Sequence, residues 1–84
     1  MEVLYTARFL RSFNKLSKGI ESDVEYAVSR FEKNPKHKAL ELHKLKGRMQ
    51  RYHAFSANYS HRVVVKMVKG TAYCKDVGDH SVYE

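Results

Sequence analysis

Arg62-Val63-Val64-Val65-Lys66-Met67-Val68-Lys69-Gly70-Thr71-Ala72-Tyr73-Cys74-Lys75-Asp76-Val77 is the stretch that decides the fold. Two runs rich in β-branched residues, Arg62 to Val68 and Thr71 to Val77, flank a two-residue Lys69-Gly70 link, the pattern of a β-hairpin. Val63-Val64-Val65 is apolar at successive positions, so a central strand covered on both faces is expected there. Working backward, Arg51 to Ala57 reads as a further strand, joined through the turn Asn58-Tyr59-Ser60-His61.

The N-terminal third has a different period. Val3-Leu4-Tyr5 reads as a short strand, and Thr6 is placed to cap a helix in which Phe9, Leu10, Phe13 and Leu16 recur at helical spacing. Gly19 is expected to stop that helix. A second helix is expected from Ile20 to Lys33, with Ile20, Val24, Ala27, Val28 and Phe31 on one face. Ser22 and Glu25 form a candidate capping box, and Asn34-Pro35 ends the helix. Residues 36–49 read as a loop or short helical turn anchored by Leu40, Leu42 and Leu45 and broken at Gly47. The expected class is α+β with the order β-α-α-β-β-β. Two N-terminal helices pack on one face of a small antiparallel sheet whose other face stays partly open. Residues 1–84 form a single domain.

Composition bounds the chemistry. The chain has 84 residues, of which 43% are apolar, enough for one small core. A single cysteine excludes an internal disulfide and a cysteine-based zinc site, and fits a reducing cytoplasm. The N-terminus lacks the pattern of a signal peptide, and no apolar run approaches the roughly 18 residues of a membrane span, so no membrane association is expected. Sixteen Lys and Arg against nine acids give a net charge of +7, which favours a polyanionic or acidic partner. Much of that charge falls in residues 36–51: Lys36, Lys38, Lys44, Lys46, Arg48 and Arg51, with His37 and His43, against Glu41 alone.

The remaining candidates are isolated polar groups in strand and turn positions. Arg62 opens a strand, where a guanidinium can bind a phosphate through two parallel hydrogen bonds. Gly78-Asp79-His80-Ser81-Val82-Tyr83-Glu84 puts an imidazole and a phenol three residues apart, and His80 is a candidate general acid. Asp79 reads as a turn former. His37, His43, His53 and His61 show no i, i+4 pair and no accompanying carboxylate cluster, so neither a metal nor another cofactor is expected. Cys74, in mid-strand, reads as a structural thiol. A set of Arg62, His80 and Tyr83, with His43, Lys44 or Lys46 nearby, suits RNA cleavage without a metal. There the RNA's own 2′-hydroxyl is the nucleophile, and cations offset the phosphorane charge. Tyr52 and Tyr83 are rings on which an unpaired base can stack.

The helix ending in Asn34-Pro35, the segment Leu42-His43-Lys44-Leu45-Lys46-Gly47, the run Tyr59-Ser60-His61-Arg62-Val63-Val64-Val65 and the terminal Val77-Gly78-Asp79-His80-Ser81-Val82-Tyr83 together resemble the RelE/ParE superfamily of bacterial toxins. The closing Gly-Asp-His-Ser-Val-Tyr looks most like its RelE, YoeB and YafQ branch, whose members cleave mRNA in the ribosomal A site. The resemblance implies that His80 acts as acid or base, that Arg62 stabilises the scissile phosphate and that Tyr83 positions the nucleotide, with His43 and Lys46 contributing from the preceding segment. The basic segment offers Lys36, Lys38, Lys44, Arg48 and Arg51, with the ring of Tyr52, as candidate RNA contacts; the resemblance implies, as partners, the ribosome with its mRNA, a cognate acidic antitoxin, and operator DNA through the antitoxin complex. Ser56 and Ala57 stand where many relatives place an arginine, and Glu41 is a further candidate base. Two other readings stay open: a ParE-type inhibitor of DNA gyrase, and a non-catalytic relative that only binds antitoxin.

Overall fold

The computed structural model describes residues 1–83; the side chain of Tyr83 and the whole of Glu84 lie outside the described residues. The chain runs through β1 (Glu2–Tyr5), α1 (Ala7–Asn14), α2 (Lys18–Lys33), a 3-10 turn at Lys38–Leu40, β2 (His43–Lys44), a 3-10 turn at Gly47–Met49, β3 (His53–Ser56), β4 (Arg62–Val68), β5 (Thr71–Gly78) and a last 3-10 turn at His80–Tyr83.

Thr6 starts the helical layer as expected. Its hydroxyl accepts from the Phe9 amide at 3.1 Å, and it also donates to the carbonyl of Cys74 at 2.9 Å, with that of Lys75 at 3.1 Å. One side chain thus caps α1 and ties the β1–α1 corner to β5. The helix boundaries differ from the expectation. Helix α1 ends at Asn14, and Leu16 packs on the core from the connection rather than from the helix. Gly19 does not stop a helix: α2 begins at Lys18 behind Ser17, which has the extended backbone of an N-cap, so Gly19 falls in the first turn and Ser22 inside the helix. Asn34 ends α2 where the sequence places the break.

The sheet has five strands in the order β1-β5-β4-β3-β2 and is mixed, not antiparallel. Strands β2 to β5 alternate in direction, but β1 runs parallel to β5, pairing Glu2 to Tyr5 with Thr71 to Cys74. The reason is parity. Residues 36–49 hold a two-residue strand, His43–Lys44, where a loop was expected. That strand adds one reversal, so the last strand of the meander points opposite to the direction it would have with three. Strand β3 is also shorter than expected, starting at His53 and leaving Arg51 in a turn.

Val24, Ala27, Val28 and Phe31 of α2 and Phe9 of α1 pack against Phe55, Val63, Val65, Ala72, Cys74 and Val77. Phe31 and Phe55 stack at 4.5 Å between centroids, both fully buried. Asp76 is the buried carboxylate of this layer; it accepts from Arg8 Nε at 3.1 Å and Ser12 Oγ at 2.6 Å, so β5 is tied to α1 a second time. Burial pushes the Cys74 thiol up to about 12, which makes it an inert packing group. Lys69 and Gly70 have φ of 47° and 84°, the pair of positive values that a type I′ hairpin needs.

Thr6→Val keeps the shape of the side chain but removes its hydroxyl. It is expected to lower the unfolding free energy by about 1–2 kcal/mol, read from the urea midpoint. An unshifted midpoint would show that the cap and its β5 bonds are idle.

Candidate active site

Val64 has no place in the helix-side core, because successive strand residues point to opposite faces. It lies with Leu45 and Ala54 in a second buried cluster, against which Met49, Tyr52 and Val82 pack. This small cluster holds three irregular segments on the face away from the helices. Leu45 and Met49 bring in the segment after β2, Tyr52 the entry to β3, and Val82 the terminal 3-10 turn.

The chemical groups come with those anchors. His43 and Lys46 flank Leu45, Arg48 adjoins Met49, and His80 lies two residues before Val82. Arg62 precedes Val64 by two residues on the same face of β4 and pairs with Ser56 on one side and Gly78 on the other. Gly78 is the residue that lets the chain fold back, since a methyl group there would come within 2.7 Å of Val82 Cγ1. Asp79 then caps the turn: its Oδ1 accepts from the Ser81 amide at 2.9 Å, and its carbonyl accepts from Val82 N at 3.1 Å. Ser81 holds the Asp79 carboxyl below the usual range, and the charges of His61 and His80 add to that. Asp79 is a turn former, as its place after Gly78 suggests.

Arg62 is oriented by its own hairpin. Its Nη1 donates to the carbonyls of Asn58 at 2.8 Å and His61 at 3.1 Å. The hairpin is in turn built on Asn58, whose Oδ1 accepts from the amides of Ser60 and His61 and whose Nδ2 donates to Asp23 of α2 at 3.0 Å. Among the described residues no group bonds Arg62 Nε or Nη2, so one edge of a fixed guanidinium remains for an anion. His43 Nδ1 lies 3.0 Å from the Glu41 carbonyl, which can only accept, so Nδ1 is the donor of that contact.

His43, Lys46 and His80 lie within two residues of side chains in this cluster, and Arg62 lies two residues from Val64, while other candidates lie elsewhere. Lys36, Lys38 and Lys44 lie at the β2 edge, Lys44 opposite His53. Arg48 and Arg51 are exposed on the turns before β3. Tyr52 carries the Lys75 ammonium over its ring at 4.2 Å, so a base can stack on that face only by displacing the lysine. The expected role of Tyr83 falls on a side chain outside the described residues. Tyr59 was not among the sequence candidates, yet it is 93% exposed on the hairpin that holds Arg62. Its signal was its place at a turn tip, where burial gives no reason for a large ring.

In the sequence His53 is one of several histidines without an i, i+4 partner. Its Nδ1 is buried without a hydrogen-bond partner among the described residues. Burial, then the charges of Lys44 and His43, lower its pKa from the ordinary 6.5. A histidine with a depressed folded pKa contributes stability that is complete above its unfolded value and is lost as pH falls through the folded one. His53→Gln is therefore expected to lose less stability than the parent on moving from neutral to mildly acidic buffer in paired urea titrations. Equal losses would count against a buried neutral imidazole.

No family model matches the chain, and no curated protein matches it in sequence. Solved structures do match. YafQ from E. coli strain BL21(DE3) superposes with a TM-score of 0.81 at 13% identity, over 96% of this chain and 94% of that one. The YoeB/ParE toxin from Agrobacterium tumefaciens gives 0.76 at 15% identity, over 95% and 99% of the two chains. The RelBE2 toxin–antitoxin complex from Mycobacterium tuberculosis gives 0.77 at 17% identity, over 94% and 96%. The chain has the fold of the RelE, YoeB and YafQ toxins.

Proposed function

We propose that this chain is the toxin of a type II toxin–antitoxin pair and that it cuts mRNA in the ribosomal A site without a metal. Fold alone does not choose an activity. The observation that carries the reading is the Arg62 guanidinium, fixed by two loop carbonyls with one edge unbonded among the described residues, on the sheet face against which the segments carrying His43 and His80 are anchored by Leu45 and Val82. That set supplies the three elements of phosphodiester transfer. His43 Nε2 takes the proton of the RNA 2′-hydroxyl as its oxygen attacks phosphorus. Arg62 and Lys46 offset the charge gathering on the equatorial oxygens. His80 gives a proton to the departing 5′-oxygen. One P–O bond forms and one breaks, leaving a 2′,3′-cyclic phosphate and a 5′-hydroxyl. Tyr59 and Tyr83 offer rings for the bases, and Lys44, Arg48 and Arg51 extend the cationic surface toward ribosomal RNA.

The +7 charge also suits an acidic antitoxin covering the same face, with operator DNA reached through that complex. The M. tuberculosis neighbour is itself a toxin–antitoxin complex.

His80→Ala and Arg62→Ala are each expected to slow cleavage of a defined mRNA on purified ribosomes by roughly 100-fold or more, read by primer extension. Cleavage at the parental rate in both variants would remove the assignment. Intact mRNA with the parent, together with inhibited supercoiling by gyrase, would instead establish the ParE-type reading.

A further inference from the structure

At the β2 edge lies a pocket of about 440 Å³ lined by Lys36, His37, Lys38, Leu42, Lys44 and His53, together with Glu41 and His43. Three lysines and three histidines line it with a single carboxylate, Glu41, and that carboxylate is already engaged, accepting from Ser56 Oγ at 3.1 Å. His53 is the residue of this lining with a covered ring nitrogen. Its Nδ1 is buried with no partner among the described residues, so the neutral ring keeps its proton on Nε2, away from the covered nitrogen. Leu42 packs against the helix-side core and gives the pocket an apolar wall. His37 is oriented by accepting from the Ala39 amide at 3.1 Å through Nδ1, which places its own N–H on Nε2.

We propose that this pocket is a phosphate-binding site beside the cleavage centre, with which it shares His43, with His53 and His37 as donors and Lys36, Lys38 and Lys44 supplying the charge. Such a set suits a phosphate group because several N–H donors can each take an oxygen of one tetrahedral anion, and charge-assisted bonds of this kind are the strong ones. The groups facing His53 are Lys44 and His43 of β2 and Lys36, His37, Lys38 and Glu41 of the preceding segment. An anion seated among them offsets the cations that disfavour a charged His53, so its pKa rises on binding. The ligand is either a backbone phosphodiester of RNA passing over the β2 edge or a free phosphate.

The test is NMR titration of the His53 ring with inorganic phosphate and, separately, with a single-stranded RNA whose 2′-hydroxyls are methylated so that it cannot be cut. A saturable His53 shift with a raised pKa is expected, with affinity falling about tenfold or more in Lys44→Ala and in Lys36→Ala. His53→Gln, which retains an N–H donor, is expected to bind more tightly than His53→Ala, followed through His37. A response to both probes assigns the site to RNA, and a response to inorganic phosphate alone assigns it to the free anion. No saturable shift with either probe, or equal affinity in the lysine variants, overturns the proposal. Since the readout needs no cleavage, an inactive nuclease leaves it standing.

Discussion

A β-sheet with two buried faces needs something to cover the second one. Val64 and Ala54 are fully buried on the face that the helices do not reach, and the cover is made of chain segments with almost no regular structure. Leu45, Met49, Tyr52 and Val82 come from separate segments and meet on this one patch. At roughly 25 cal/mol for each Å² of apolar surface removed from water, a patch of a few side chains contributes only a few kcal/mol. That is enough to position the segments without making them rigid. The candidate groups His43, Lys46 and His80 are carried beside the anchors, so their positions depend on that patch, whereas that of Arg62 does not.

Arg62 is positioned by different means. It projects from the central strand, and the carbonyls of Asn58 and His61 fix its guanidinium before any ligand arrives. Orientation made in advance matters more for a charge-stabilising group than for a binding one, since its worth lies in not having to reorganise when charge develops. The hairpin that supplies these carbonyls is tied to α2 through Asn58 and Asp23, so the helical layer supports the site from the far side of the sheet.

The hairpin at Lys69-Gly70, the Thr6 cap, the Asn34 break and the doubly covered strand at Val63 to Val65 were legible because each is a local rule of spacing or conformation. The strand His43–Lys44 was not. Two exposed polar residues carry no β signal, and they extend only because they pair with Ala54 and His53. Missing that strand reversed the expected direction of β5 relative to β1. Arg62 and His80 stood out by chemical type and turn position. His53 did not, since what sets it apart is a covered nitrogen and a lysine across the strand, neither visible in sequence spacing. Tyr52 misled for a related reason: nothing in its neighbours in the chain places Lys75 over its ring.

The relation of His80 to Arg62 depends on the last turn folding back onto the sheet. The direct measurement is a methyl NOE spectrum of the free protein, with Val82 assigned against the methyl groups of Leu45, Ala54 and Val64. Cross-peaks between Val82 and this cluster are predicted, and they should disappear in Gly78→Ala, where the added methyl group has no room. Val82 at random-coil shifts with no such cross-peaks in the parent would contradict the account, because His80 would then have no fixed relation to Arg62.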